Sequence, residues 1–178
     1  MQEQVLKFWF EEIDRKHWWA SDAECDARLS ERFRTLLDQA MKGELFEWRE
    51  TPSGRLAEVI VLDQFSRNIF RGTREAYAQD PMALALSQEA VAANAVAELE
   101  PIRRAFLLMP YMHSESSVVH VEGERLFKRW ATPENYDFEL RHKAIVDRFG
   151  RYPHRNAILG RRSTPEEETF LKQPGSSF

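Results

Sequence analysis

Apolar residues recur along the chain at spacings of three and four, and the short alternating Val/Ile/Thr runs that mark strands are missing, so the pattern predicts helices. In residues 22–42, Leu29, Phe33, Leu36, Leu37 and Ala40 share one face and leave Glu31, Arg34 and Asp38 outward. Residues 53–69 differ, because Leu56, Val59, Ile60, Val61, Leu62, Phe65 and Ile69 leave no wide polar face; this helix should be central. The spacing predicts helices near 2–12, 22–42, 53–69, 81–97, 101–109, 113–131, 133–149, 153–159 and 165–172. Pro52, Pro81, Pro101, Pro133 and Pro165 each stand where a helix begins, a position at which the missing N–H has no intrahelical partner to lose. Asp80, Thr132 and Thr164 read as N-caps, and Thr164-Pro165-Glu166-Glu167 reads as a capping box. Gly150 reads as a left-handed helix stop. Pro110 disfavours the α conformation at Met109, which predicts a break there and a restart near residue 113. Short linkers force neighbouring helices antiparallel, so the expected fold is all-α: a single domain over residues 1–178 of about eight or nine antiparallel helices. No repeat at a 34-residue period is visible.

The composition adds exclusions. A chain of 178 residues buries about 70% of its unfolded surface and needs no metal or disulfide to hold a core. Its single cysteine, Cys25, fits a reducing compartment and reads as structural. The longest apolar run, Ala105 to Met109, is far too short for a bilayer, and Met1-Gln2-Glu3-Gln4 lacks the basic start of a secretory signal, so a cytoplasmic protein without membrane contact is expected. A net charge of -4 argues against a generally basic nucleic-acid binder. That average conceals a contrast: residues 141–162 hold seven Lys/Arg against Asp147 alone, a net +6, and the remaining chain carries -10.

Three segments carry candidate chemistry. On the central helix, Asp63, Gln64, Arg67 and Asn68 fall on one side, with Asp63 and Arg67 one turn apart. They form either a buried hydrogen-bond network with Asp63 paired to Arg67, or one wall of a polar cleft. In the second segment, His113 and Glu115 lie on the same side if the chain is extended there; if a helix has resumed, His113 shares a face with His120 and Glu124. Neither spacing is a known metal signature, and no motif names a cofactor. In the third, Pro153 opens a helix whose first turn holds His154, Arg155 and Asn156; with Arg151, that helix start would receive a phosphate or carboxylate and keep His154 neutral. Several of the arginines would otherwise only pair with the acidic remainder. Phe8, Trp9, Phe10, His17, Trp18 and Trp19 read as core or inter-helix packing.

Four stretches, Val5-Leu6-Lys7-Phe8-Trp9-Phe10, Leu62-Asp63-Gln64-Phe65-Ser66-Arg67-Asn68-Ile69-Phe70-Arg71-Gly72-Thr73, Met109-Pro110-Tyr111-Met112-His113-Ser114-Glu115 and the run from Arg148 to Arg161, resemble the bacterial domain-of-unknown-function family 924. The resemblance covers essentially the whole chain, to Phe178, and implies a tetratricopeptide-like stack of helical hairpins in a bacterial cytoplasmic protein. His142 fits the family pattern, whereas His17 and His120 do not. No activity, substrate or cofactor comes with it.

Two functions compete with a purely structural network. One is a small-molecule enzyme, acid–base or hydrolytic, for an anionic metabolite. In it His113 or His154 moves a proton, Asp63, Glu115 or Asn68 orients the imidazole, and Gln64, Arg67, His142, Arg151, Arg155 and Asn156 bind the ligand. The other is an interaction module binding an acidic peptide. The enzyme requires Asp63, Arg67, His113, His142 and His154 to converge on one cavity.

Overall fold

Helix starts in this computed structural model, which describes residues 1–18 and 22–177, follow the caps. Asp22 accepts the N–H groups of Glu24 and Cys25 and opens α2 (Ala23–Met41). Thr51 accepts the Gly54 N–H at the start of α3 (Pro52–Ile60). Thr132 does the same for Asn135 in α8 (Pro133–Phe149), and Thr164 with Glu167 closes a capping box on α10 (Pro165–Phe170). Gly150, at φ 68°, ends α8 in the left-handed conformation. The remaining helices are α1 (Gln2–Lys7), α4 (Ser66–Ile69), α5 (Asp80–Ala92), α6 (Pro101–His113), α7 (Ser117–Trp130) and α9 (Asn156–Leu159). The fold is all-α, and no strand occurs among the described residues. Trp19 and Phe178 lie outside those residues.

Two sequence expectations are corrected. The chain does not break at Met109: α6 runs through Pro110 to His113. All eight residues from Ala105 to Met112 are buried, and that continuous apolar surface outweighs the modest preference of a residue before proline for extended backbone. The next helix starts at Ser117, so His113 and His120 do not share a helix face. Asp80 is the first residue of α5, and its side chain caps no N–H of that helix.

The central helix is as buried as its pattern requires: Leu56, Val59, Ile60, Val61, Leu62 and Phe65 have no exposed surface. It packs against α1, α5 and α6, while α7 packs on α6 and on α8. Aromatic edges fill one side of the core, with Phe8 edge-on to Phe33 and Phe65, and Trp9 and Trp18 edge-on to Phe106. A smaller cluster of Ile145, Val146 and Tyr152, with Phe149 against Phe170, seats α10 on α8. No helix among the described residues is long and apolar enough to cross a membrane.

Candidate functional site

Between α3 and α4 the helix widens into a π turn, Val61–Phe65, which contains Asp63 and Gln64. Such turns inside α-helices frequently mark functional sites, and this one presents both polar side chains to α6. Asp63 is 1% exposed. Its Oδ1 lies 2.7 Å from His113 Nδ1 and 3.0 Å from Arg67 Nη1, and its Oδ2 accepts a 2.6 Å hydrogen bond from Gln64 Nε2. Burial alone would raise the pKa of Asp63, but Arg67 and then His113 outweigh it and hold the carboxyl well below the ordinary carboxylate range. Facing an ionised Asp63, His113 carries its proton on Nδ1 and its lone pair on Nε2. Burial, then Arg67, lowers the pKa of His113 against the pull of Asp63, so the imidazole is neutral near pH 7.

The end of α6 that carries His113 is held by three side chains. The last carbonyls of a helix lack intrahelical donors. Here Tyr152 Oη donates to the Met112 carbonyl, Arg155 Nη2 to that of His113 at 3.0 Å and His120 Nε2 to that of Ser114 at 2.9 Å. On its other nitrogen, His120 meets Glu139 Oε1 at 2.7 Å, with both side chains fully buried, and burial raises the Glu139 pKa against the opposing effect of His120. Arg155 is clamped between the rings of Tyr77 and Tyr152, 4.7 and 4.6 Å from their centroids. Asp80 ties the arginines together: both its oxygens accept from Arg67, at 2.8 and 3.0 Å, and Oδ2 also from Arg155 at 3.2 Å.

A cavity of about 490 Å³ lies against this wall. Gln64, Arg67, Asn68, His113, His142, His154 and Arg155 reach it, with Asp63 immediately behind His113. Burial lowers the pKa of His142 to about 3, and its Nδ1 donates to the Phe138 carbonyl at 2.7 Å. Burial, then Arg155, lowers that of His154 to about 4. The neutral His154 inferred from a helix dipole is therefore produced by desolvation. The segment is a single 3-10 turn, Pro153–Arg155, followed by four α-helical residues, too short for a substantial macrodipole.

Three expected site residues stand elsewhere. Arg151 donates to both oxygens of Glu167, at 2.7 and 2.8 Å, and Asn156 reaches the same carboxylate at 3.3 Å. Glu115 accepts from Arg161 at 2.6 and 2.9 Å and from the Tyr152 N–H at 2.7 Å. Six of the seven cations of the segment are paired: Arg141, Lys143, Arg148, Arg151, Arg155 and Arg161 each meet an acid. The acidic remainder of the chain supplies five of those six partners: Asp80, Glu115, Asp137, Glu166 and Glu167.

A family model described as bacterial protein of unknown function (DUF924) matches residues 5–175. The chain belongs to this family. It is also similar to a solved structure of a protein of unknown function, ATU0120 from Agrobacterium tumefaciens, with a TM-score of 0.91, 34% identity and 96% of each chain covered. No curated protein is significantly similar to it. In this DUF924 chain, cavity residues that the sequence pattern did not single out include Tyr77, Met109, Met112, Asn135 and Phe138, while His17 and Trp18, read as packing, also line it. Asp80, read as a cap, is the carboxylate that binds two site arginines. Among the described residues no three His, Cys, Asp or Glu side chains converge as a metal-ligand set.

Proposed function

We propose that this protein is a small-molecule enzyme in which His113, oriented by Asp63, acts as the general base. The observation that carries this reading is the 2.7 Å contact between His113 Nδ1 and a buried, ionised carboxylate at the wall of a cavity. The contact fixes one tautomer and leaves Nε2 with the lone pair a base requires. Asp63 stabilises the imidazolium that forms when Nε2 takes a proton from water or substrate. A volume of about 490 Å³ suits a small metabolite better than a peptide. Charge balance refines the ligand: Arg67 and Arg155 face Asp63 and Asp80, so the wall has no net charge to hold a free anion. It favours a substrate that offers a neutral acceptor oxygen, such as a carbonyl, to the guanidinium groups. Hydrolysis of 4-nitrophenyl acetate tests the base. His113→Ala should lower kcat/KM by roughly 100-fold or more, the usual contribution of a positioned base. Equal rates in wild type and His113→Ala would overturn the reading.

A further inference from the structure

A second cavity of about 340 Å³ adjoins the first, and the residues Tyr77, His113 and Arg155 line both. Its far walls are apolar: Pro81 and Leu84 from α5, Pro110 from α6 and Leu159 from α9. The carboxylates at its edge are already committed, Glu115 to Arg161 and Asp80 to Arg67 and Arg155. A group placed there meets hydrocarbon and no uncompensated charge. The large cavity is different in kind, with Gln64, Asn68, His142 and His154 set among Trp18, Phe138 and the thioethers of Met109 and Met112.

From this pairing we infer that the smaller cavity is a subsite for a short apolar acyl group, and that the substrate is a carboxylic ester or amide lying across His113. The inference rests on His113 as the base and names what it acts upon. His113 lines both cavities, so the bond it attacks is placed where they meet, with one part of the substrate on each side. Arg155 stands at the same junction, fixed between two tyrosine rings, where a carbonyl oxygen would be its natural acceptor. In the reaction Nε2 of His113 takes a proton from water, the water oxygen bonds to the carbonyl carbon, and the tetrahedral adduct collapses. The alcohol or amine leaves with the proton returned by His113, and the acid remains. No redox partner is involved.

The test separates binding from turnover. The probes are 4-nitrophenyl acetate, butanoate, hexanoate and octanoate, together with the ketones in which a methylene replaces the ester oxygen; the ketones bind but cannot be hydrolysed. Ketone affinity, read by tryptophan fluorescence, should rise about fourfold per methylene until the chamber is full. Leu84→Trp and, independently, Leu159→Phe should abolish that rise and leave the affinity for the shortest ketone within about twofold of wild type, as expected where the added bulk lies far from the shared wall. Affinity that does not depend on chain length in wild type, rises equally in both variants, or is absent for every ketone overturns the acyl subsite. Chain-length-dependent ketone binding with no turnover of any ester would keep the subsite and remove His113 as a base for ester hydrolysis.

Discussion

Acid should unfold this protein before its carboxylates alone would require, because two cavity imidazoles are held neutral. Burial lowers His142 to about 3, and burial with Arg155 lowers His154 to about 4. In the unfolded chain both return to about 6.5, so below that pH the unfolded state binds protons that the folded state refuses. Their contribution is complete above pH ~6.5 and is lost as the pH falls toward the folded values. At about 1.4 kcal/mol per pH unit per group, the two together remove about 6 kcal/mol by pH 4, an upper figure because His154 borders a cavity. That is comparable with the whole stability of an ordinary domain, about 5–15 kcal/mol. His113, lowered in the same direction, adds to the loss. Urea unfolding followed by circular dichroism at several pH values between 7.5 and 4.5 measures the effect. The slope near pH 5.5 should correspond to at least about two protons. His142→Leu should reduce it by about one, whatever that variant does to stability at pH 7.5. A flat profile between pH 7 and 5, or a slope unchanged in His142→Leu, would mean that burial does not hold these imidazoles neutral.

Other substitutions probe the supports of the site. Asp63→Asn leaves His113 without its buried anion and Arg67 with Asp80 alone; it should cost about 3 kcal/mol in urea unfolding, and ester turnover should fall with it. Tyr152→Phe strands the Met112 carbonyl at the end of α6. A loss of about 1–3 kcal/mol in thermal unfolding is expected, against no loss if that carbonyl were already satisfied elsewhere. Gly54→Ala drives a Cβ into the Trp48 carbonyl, a backbone atom that cannot rotate away. Its melting temperature should therefore fall well below that of Gly43→Ala, where the added Cβ meets nothing within 4 Å and only the positive φ resists.

The helices were legible because caps and apolar spacing agree: Thr132 and Gly150 bound α8 as the sequence implies, and the central helix is buried all round. The exceptions were local preferences that tertiary packing overruled. Pro110 continues α6 because its neighbours are buried, and Asp80 gives up capping because two buried guanidiniums need a shared anion. Asp63, Gln64, Arg67 and Asn68 were recognisable as polar residues on an apolar helix, a conflict that burial must resolve by pairing. Their connection to His113 spans 50 residues and could not be read from spacing. The cationic run misled for a related reason. Arg151 and Asn156 sit beside Arg155 in the chain, yet the acid at Glu167 draws them away from the cavity. The aromatic and thioether walls from Phe138, Met109 and Met112 carry no sequence signal that separates lining from core.

The role of His113 turns on the position of one proton. Nitrogen-15 correlation spectra of imidazole-labelled protein, with His113 assigned through His113→Gln, report which ring nitrogen holds it. At pH 7 His113 should be neutral with the proton on Nδ1, in a strong hydrogen bond to Asp63, and Nε2 should carry the lone pair. A proton on Nε2, or an imidazolium at pH 7, would contradict the account.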